Sequence, residues 1–169
     1  MCMPWIARPT NLNGPGDNYH PENSHVVPAL ICRFHKANEQ SLSEVVVWGS
    51  GTPKREFLYV DDMAEASLFV HNLDQAIFVA QTEPMLSHVN VGTGTDVIIR
   101  DLSETIKEVV GFEGNFGFDT SKPDSPPRKL MDVEVLSNLR WTARVGLRKG
   151  LRRSYLDFQM LKMSGRDKM

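Results

Sequence analysis

An α/β fold is what this 169-residue sequence predicts, and three stretches carry the prediction. In the first, the β-branched run Val45-Val46-Val47-Trp48 meets a Gly49-Ser50-Gly51-Thr52-Pro53 turn, the aromatic and β-branched run Phe57-Leu58-Tyr59-Val60 follows, and Asp61 and Asp62 open a helix. That pattern reads strand, turn, strand, helix cap. In the second, Met63, Ala66, Ser67, Val70, Leu73 and Ile77 describe one long amphipathic helix whose apolar stripe lies on a sheet. In the third, His88-Val89-Asn90-Val91-Gly92 alternates like a strand, and Leu102, Ile106, Val109 and Val110 then recur at helical spacing.

The remaining elements follow in chain order. Trp5-Ile6-Ala7, leading into Arg8-Pro9, reads as the final strand of a larger sheet and is a poor start for an independent domain. Asn13 to Asn18 is dense in turn formers, and the loop continues through His20-Pro21-Glu22-Asn23 until Asn23 or Ser24 caps a helix. In that helix Val26, Val27, Leu30, Ile31 and Phe34 recur, with Pro28 tolerated in the first turn. Gln81 to Leu86 is a polar loop, Thr93-Gly94-Thr95 a turn, Gly111 a C-cap and Phe116 to Phe118 a last strand. Lys122 to Lys129 holds three prolines, which lack the donor that a helix or central strand needs, so it is an exposed, stiffened loop. Val133 to Leu139 and Leu147 to Leu161 read as two helices, with Ser164 to Met169 a frayed tail.

Composition narrows the function classes. With hydrophobic residues at 41% and charged residues at 24%, the chain is long enough for one sizeable core. A net charge of -2 offers no basic surface to nucleic acid or an anionic membrane. No apolar run approaches the roughly 20 residues that cross a bilayer, and no signal-peptide pattern opens the sequence, so the expected location is cytoplasmic. Cys2 and Cys32 suggest neither a disulfide framework nor a metal site.

Several side chains have the chemistry to hold a nucleotide. Trp48, ending one strand, offers a flat face to a purine, and Arg55, just past the turn, offers a planar fork to phosphate oxygens. The spacing puts them at neighbouring points of one hairpin mouth. His25 and Arg33 stand about 80° apart around the helix axis, clear of the buried stripe, where both face a ligand. Asp124 accepts from sugar or ribose hydroxyls on a loop of the kind that carries binding residues. Each also has an ordinary reading: Trp48 as core, the arginines as solvated charge, His25 as a helix-start residue, Asp124 as turn chemistry. The Gly92-Thr93-Gly94 segment lacks the spacing of a dinucleotide fingerprint and is taken as a turn.

The segment Trp48-Gly-Ser-Gly-Thr-Pro-Lys-Arg-Glu-Phe-Leu-Tyr-Val-Asp-Asp-Met resembles one found in the extended short-chain dehydrogenases that act on nucleotide sugars, and within them most resembles the GDP-L-fucose synthase family. Three further blocks match in the same order: Pro9-Thr-Asn-Leu-Asn-Gly-Pro-Gly-Asp-Asn-Tyr-His-Pro-Glu-Asn-Ser-His-Val-Val-Pro-Ala-Leu, Met85-Leu-Ser-His-Val-Asn-Val-Gly-Thr-Gly, and Ser121-Lys-Pro-Asp-Ser-Pro-Pro-Arg-Lys-Leu-Met-Asp. The resemblance implies the C-terminal part of an extended short-chain dehydrogenase. Residues 1–22 would be a remnant of the NADP-binding Rossmann domain, 23–163 a mixed α/β sugar-nucleotide domain, and 164–169 a tail. It also implies NADP(H) as cofactor and a GDP-sugar as substrate. Pro9, Thr10, Asn11 and Leu12 would line the nicotinamide end, and His25 would touch cofactor or substrate as the acid in epimerisation. Arg33, Trp48, Arg55 and Asp124 would grip the GDP-sugar, with no metal. The family chemistry is epimerisation at C3 and C5 of GDP-4-keto-6-deoxy-D-mannose, then NADPH reduction at C4. At Asn13 the sequence departs from the family's tyrosine.

Two features of that family are absent. Tyr19, Tyr59 and Tyr155 have Asn23, Met63 and Gln159 four residues on rather than lysine, and no Gly-x-x-Gly-x-x-Gly occurs. The expectation is a truncated chain, inactive alone, whose partner is the missing N-terminal half, with the helices that pair these enzymes as dimers in that half. The other readings are a non-catalytic nucleotide-sugar-binding module and a fragment of another sugar-nucleotide epimerase or dehydratase.

Overall fold

A computed structural model describes residues 6–20, 23–82, 88–124 and 126–165. Trp5, Ser125 and the 166–169 part of the tail, with parts of the expected loops at 21–22 and 83–87, lie outside them. The elements run β1 (Ile6–Pro9), β2 (Asn11–Asn13), α1 (Val26–Glu39), β3 (Glu44–Trp48), β4 (Lys54–Tyr59), α2 (Val60–His71), α3 (Gln75–Ala80), β5 (His88–Val91), β6 (Asp96–Ile98), α4 (Ile99–Val110), β7 (Asn115–Asp119), β8 (Arg128–Lys129), α5 (Glu134–Asn138) and α6 (Leu147–Met163). The α/β class expected from the sequence is the one observed.

Strand β4 is the centre of the arrangement. It pairs with β2 and β8 in parallel and with β6 antiparallel, while β1 pairs with β5 and β3 with β7 in separate parallel ladders. Successive strand residues point to opposite faces, and here that alternation separates two cores. Phe57 enters one with Ile31 and Phe34 of α1, Leu102 and Ile106 of α4, and Leu151 and Phe158 of α6. Leu58 enters the other with Ala66 and Val70 of α2, Phe78 of α3, Val89 and Val91 of β5, and Leu136 and Trp141.

Five expectations are corrected. Val45–Trp48 and Phe57–Tyr59 do not form a hairpin: β3 spends its pairing on β7, and the intervening turn, with Gly49 at φ 89 and Gly51 at φ 75, carries the chain into another sheet. The single helix over Met63 to Ile77 is two helices, because Asp74 accepts from the Ala76 N–H at 2.7 Å and starts a new one. Neither Asn23 nor Ser24 caps α1; His25 is the N-cap residue, without a side-chain cap bond. Asp61 and Asp62 lie inside the first turn of α2, and buried Asp62 accepts from the Arg144 and Val145 N–H groups at 3.1 and 2.9 Å. Phe116–Phe118 is not the last strand. Past the Pro126 and Pro127 carbonyls, Arg128 and Lys129 add β8 to β4, since neither is a proline and both can join a ladder. Gly111 does end α4, at φ 78. Among the described residues no helix is long and apolar enough to cross a membrane.

Candidate functional site

The chain between β1 and β2 hangs on β4 by its own polar side chains. Thr10 Oγ1 and Asn11 Nδ2 both donate to the Glu56 carbonyl, at 3.3 and 2.8 Å, and Asn13 Nδ2 donates to the Leu58 carbonyl at 3.3 Å. The Thr10 N–H donates to the Val91 carbonyl at 3.1 Å, which holds the segment to β5. After it the backbone turns sharply: a Cβ on Gly14 would stand 2.3 Å from Val60 Cγ1, so the close approach needs glycine. The outcome is a cleft of about 480 Å3 whose lining includes Pro9, Thr10, Asn11, Leu12 and His25. The four residues expected at a cofactor's nicotinamide end and His25, expected to touch cofactor or substrate, therefore border one space.

Asp17 borders the same cleft and was read only as turn chemistry. Burial pushes its carboxyl above the ordinary value, offset in part by the Asn18 N–H, which donates at 2.8 Å, and by the field of His25. At the Asn13 position, Nδ2 reaches β4, and Oδ1 is buried without a hydrogen-bond partner.

A second cluster forms at the end of β3. Trp48 is 53% exposed and is not core. The Arg33 guanidinium lies over its ring, 4.2 Å from the centroid, and donates to the Val46 carbonyl at 3.3 Å. Partial burial lowers the Arg33 pKa from its ordinary value. Asp124 joins the cluster through Ser50: the Ser50 N–H donates to Oδ1 at 2.9 Å and Oγ to Oδ2 at 2.7 Å. Those bonds, the side-chain one first, hold the Asp124 carboxyl below its ordinary value. Gly49 makes the approach possible, since a Cβ there would sit 2.4 Å from Asp124 Oδ1.

Arg55 is elsewhere. It is 8% exposed on β4 and donates from Nη1 to the Lys54 carbonyl and from Nη2 to the Pro126 carbonyl, both at 2.6 Å. Trp48 and Arg55 are thus not two points of one hairpin mouth; they belong to different sheets. His25 and Arg33 also part company, one bordering the cleft and the other stacked on Trp48.

Sequence reasoning missed three residues here. Lys122 brings Nζ to 5.5 Å from the Trp48 centroid. Lys129 is the exposed partner of Arg55 in the β4–β8 register. Glu56, 0% exposed, sends its carboxylate into the Thr93–Gly94 turn, so the amides that a phosphate would want are already taken. For the lysines the signal was present in the Lys-Pro-Asp and Arg-Lys pairs flanking the prolines. Among the described residues no group of three or more His, Cys, Asp or Glu is arranged to hold a metal ion.

Comparison with known proteins gives the family of the chain. A family model described as "NAD dependent epimerase/dehydratase family" matches residues 2–92. The chain is 57% identical to the GDP-L-fucose synthase of Escherichia coli K12 over 147 residues, which are 87% of this chain and 46% of that protein. It is 54% identical to GDP-L-fucose synthase 1 of Arabidopsis thaliana, over 87% of this chain and 43% of that protein. Among solved structures, a GDP-L-fucose synthetase from Naegleria fowleri superposes with a TM-score of 0.81 at 28% identity, covering 95% of this chain and 46% of the other. A GDP-6-OMe-4-keto-L-xylo-heptose reductase from Campylobacter jejuni gives 0.82 at 28%, over 92% and 53%. The chain spans less than half the length of these two curated relatives. The expected extended short-chain dehydrogenase fold holds, and the chain belongs to the NAD dependent epimerase/dehydratase family.

Proposed function

We propose that this chain is the sugar-nucleotide-binding part of an NADP(H)-dependent epimerase and reductase that converts GDP-4-keto-6-deoxy-D-mannose to GDP-L-fucose. The observation that carries the reading is the 57% identity to a GDP-L-fucose synthase over 87% of the chain. In this reading residues 1–22 belong to the cofactor-binding domain and 23–163 to the substrate domain.

The cleft suits the nicotinamide end of the cofactor. Its lining combines Leu12, Val26 and Phe57 with the polar side chains of Thr10, Asn11 and His25, the mixture that a flat, partly polar ring requires. When bound, NADP(H) supplies the hydride. Pro9 to Leu12 shape the wall, braced on β4 by Thr10 and Asn11. His25, fixed at the start of α1, holds or delivers a proton at its imidazole during epimerisation. On the substrate side Arg33 pairs with the diphosphate and Trp48 packs on the guanine or sugar; Asp124 accepts from the ligand on the lone pairs that its two bonds to Ser50 leave open, and Arg55 reaches the diphosphate by exchanging a bond to the Lys54 or Pro126 carbonyl.

Co-expression with the N-terminal half of a related enzyme tests the proposal. NADPH oxidation with the GDP-keto-sugar should appear in the co-expressed pair, stay at background for this chain alone, and fall in His25→Ala. A soluble, co-purifying pair without turnover would contradict it and leave the second reading, a nucleotide-sugar-binding module.

A further inference from the structure

Two cations from different elements converge on one exposed indole. Arg33 comes from α1, its guanidinium carbon 4.2 Å from the Trp48 centroid; Lys122 comes from the segment between β7 and β8, its Nζ 5.5 Å from the same centroid. Like charges gathered at one ring repel each other, and an anion placed beside them relieves that repulsion.

The Lys122 backbone is held in place from both sides. Before it, the Gly49 N–H donates to the Asp119 carbonyl at 2.9 Å, and the Lys122 N–H donates to the same carbonyl at 3.3 Å. After it, Asp124 takes both the N–H and the hydroxyl of Ser50. The two carboxylates of this segment are occupied by serines: Asp119 accepts from the Ser121 N–H and Oγ at 3.0 and 2.6 Å, as Asp124 accepts from Ser50. An ammonium on a flexible stem is thus delivered to an aromatic platform by a segment fastened to the turn that follows Trp48.

We propose that Lys122 is a specificity-determining residue of the nucleotide site, pairing with the diphosphate of a nucleoside diphosphate seated at Trp48, and that the Asp124–Ser50 contact positions it. This rests on the reading of Trp48, Arg33 and Arg55 as that site. An ammonium suits the task as a compact point charge that follows a phosphate without demanding planar geometry. The chemistry selects ligands that join a planar base to at least two negative charges, and it gives a nucleoside nothing for Lys122 to hold.

Titration of the chain with GDP and with guanosine, followed by tryptophan fluorescence, tests this in the parent and in Lys122→Met, Ser50→Ala, Arg55→Ala and the Lys122→Met/Ser50→Ala double variant. Circular dichroism checks each fold. Lys122→Met should weaken GDP binding about tenfold and leave guanosine unchanged. Ser50→Ala should weaken GDP in the same direction, and the double variant should lose little more than Lys122→Met alone, the non-additivity expected of one chain of contacts. Should Arg55→Ala weaken GDP while Lys122→Met binds like the parent, the nucleotide site stands and the role of Lys122 is overturned. Equal losses for GDP and guanosine in Lys122→Met would also overturn it, as would additive losses in the double variant. Failure of the parent to bind GDP would remove the underlying site and the inference with it.

Discussion

Glu56 occupies space that Gly92 leaves open. A Cβ on Gly92 would lie 2.4 Å from Glu56 Oε1, and that oxygen accepts from the Thr93 and Gly94 N–H groups at 2.6 and 2.7 Å while Oε2 accepts from the Met131 N–H at 3.0 Å. One buried carboxylate thereby joins β4 to the turn after β5 and to the segment following β8.

The substitution Glu56→Gln should cost about 1–3 kcal/mol, because one amide N–H must face the NH2 group and stay unsatisfied. Gly92→Ala should cost a comparable amount, since the buried carboxylate has no room to yield. Urea denaturation midpoints for both variants check this, and midpoints equal to the parent's would show that the clasp contributes little.

Alkaline pH should destabilise the fold through two tyrosines. Burial first, then the fields of Asp157 and Asp17, push the Tyr19 phenol above its ordinary value; burial and Glu39 raise that of Tyr155. The Tyr19 hydroxyl donates to the Ser154 carbonyl at 2.9 Å. A folded pKa above the unfolded one gives stability that is complete below the unfolded value of 10.0 and lost as pH rises beyond it. Thermal midpoints should hold steady up to about pH 9 and then fall, with phenolate absorbance from these two residues appearing only on unfolding. Titration of Tyr19 and Tyr155 near their ordinary value in the folded protein would contradict this.

The pairing of β3 with β7 can be tested by cross-linking. Val46 and Gly117 are register partners. In a background lacking Cys2 and Cys32, cysteines at these two positions should form a disulfide under mild oxidation, whereas Trp48→Cys with Lys54→Cys, partners across the Gly49–Pro53 turn in the hairpin pairing, should not. The reverse result would restore the hairpin.

What was legible in the sequence follows from the range of the interactions. Helices α1, α4 and α6 announced themselves because their apolar periodicity records the single face that each buries, and Gly111 announced the end of α4 because a left-handed cap favours glycine. The partner of β3 was not legible: alternation along Val45–Trp48 shows that a strand exists, and its mate lies some seventy residues on, beyond three other strands and three helices. The same limit applies at the site. Pro9–Leu12 and His25 were placed by motif and do border one cleft, but the separation of Trp48 from Arg55 depends on which sheet each strand joins. Glu56 escaped notice because a carboxylate between Arg55 and Phe57 looks like a solvated strand residue until its three amide donors come together.

The central claim, that this chain carries a guanine-nucleotide diphosphate site built on Trp48, Arg33 and Arg55, is tested most directly by GDP titration of the isolated chain. A saturable change in tryptophan fluorescence with an affinity on the order of micromolar to millimolar is expected, since two arginines on a diphosphate beside an aromatic platform amount to a few kcal/mol. Arg55→Ala should abolish that change while preserving the circular dichroism spectrum. A flat titration in the parent, or an unchanged one in a folded Arg55→Ala variant, would contradict the account.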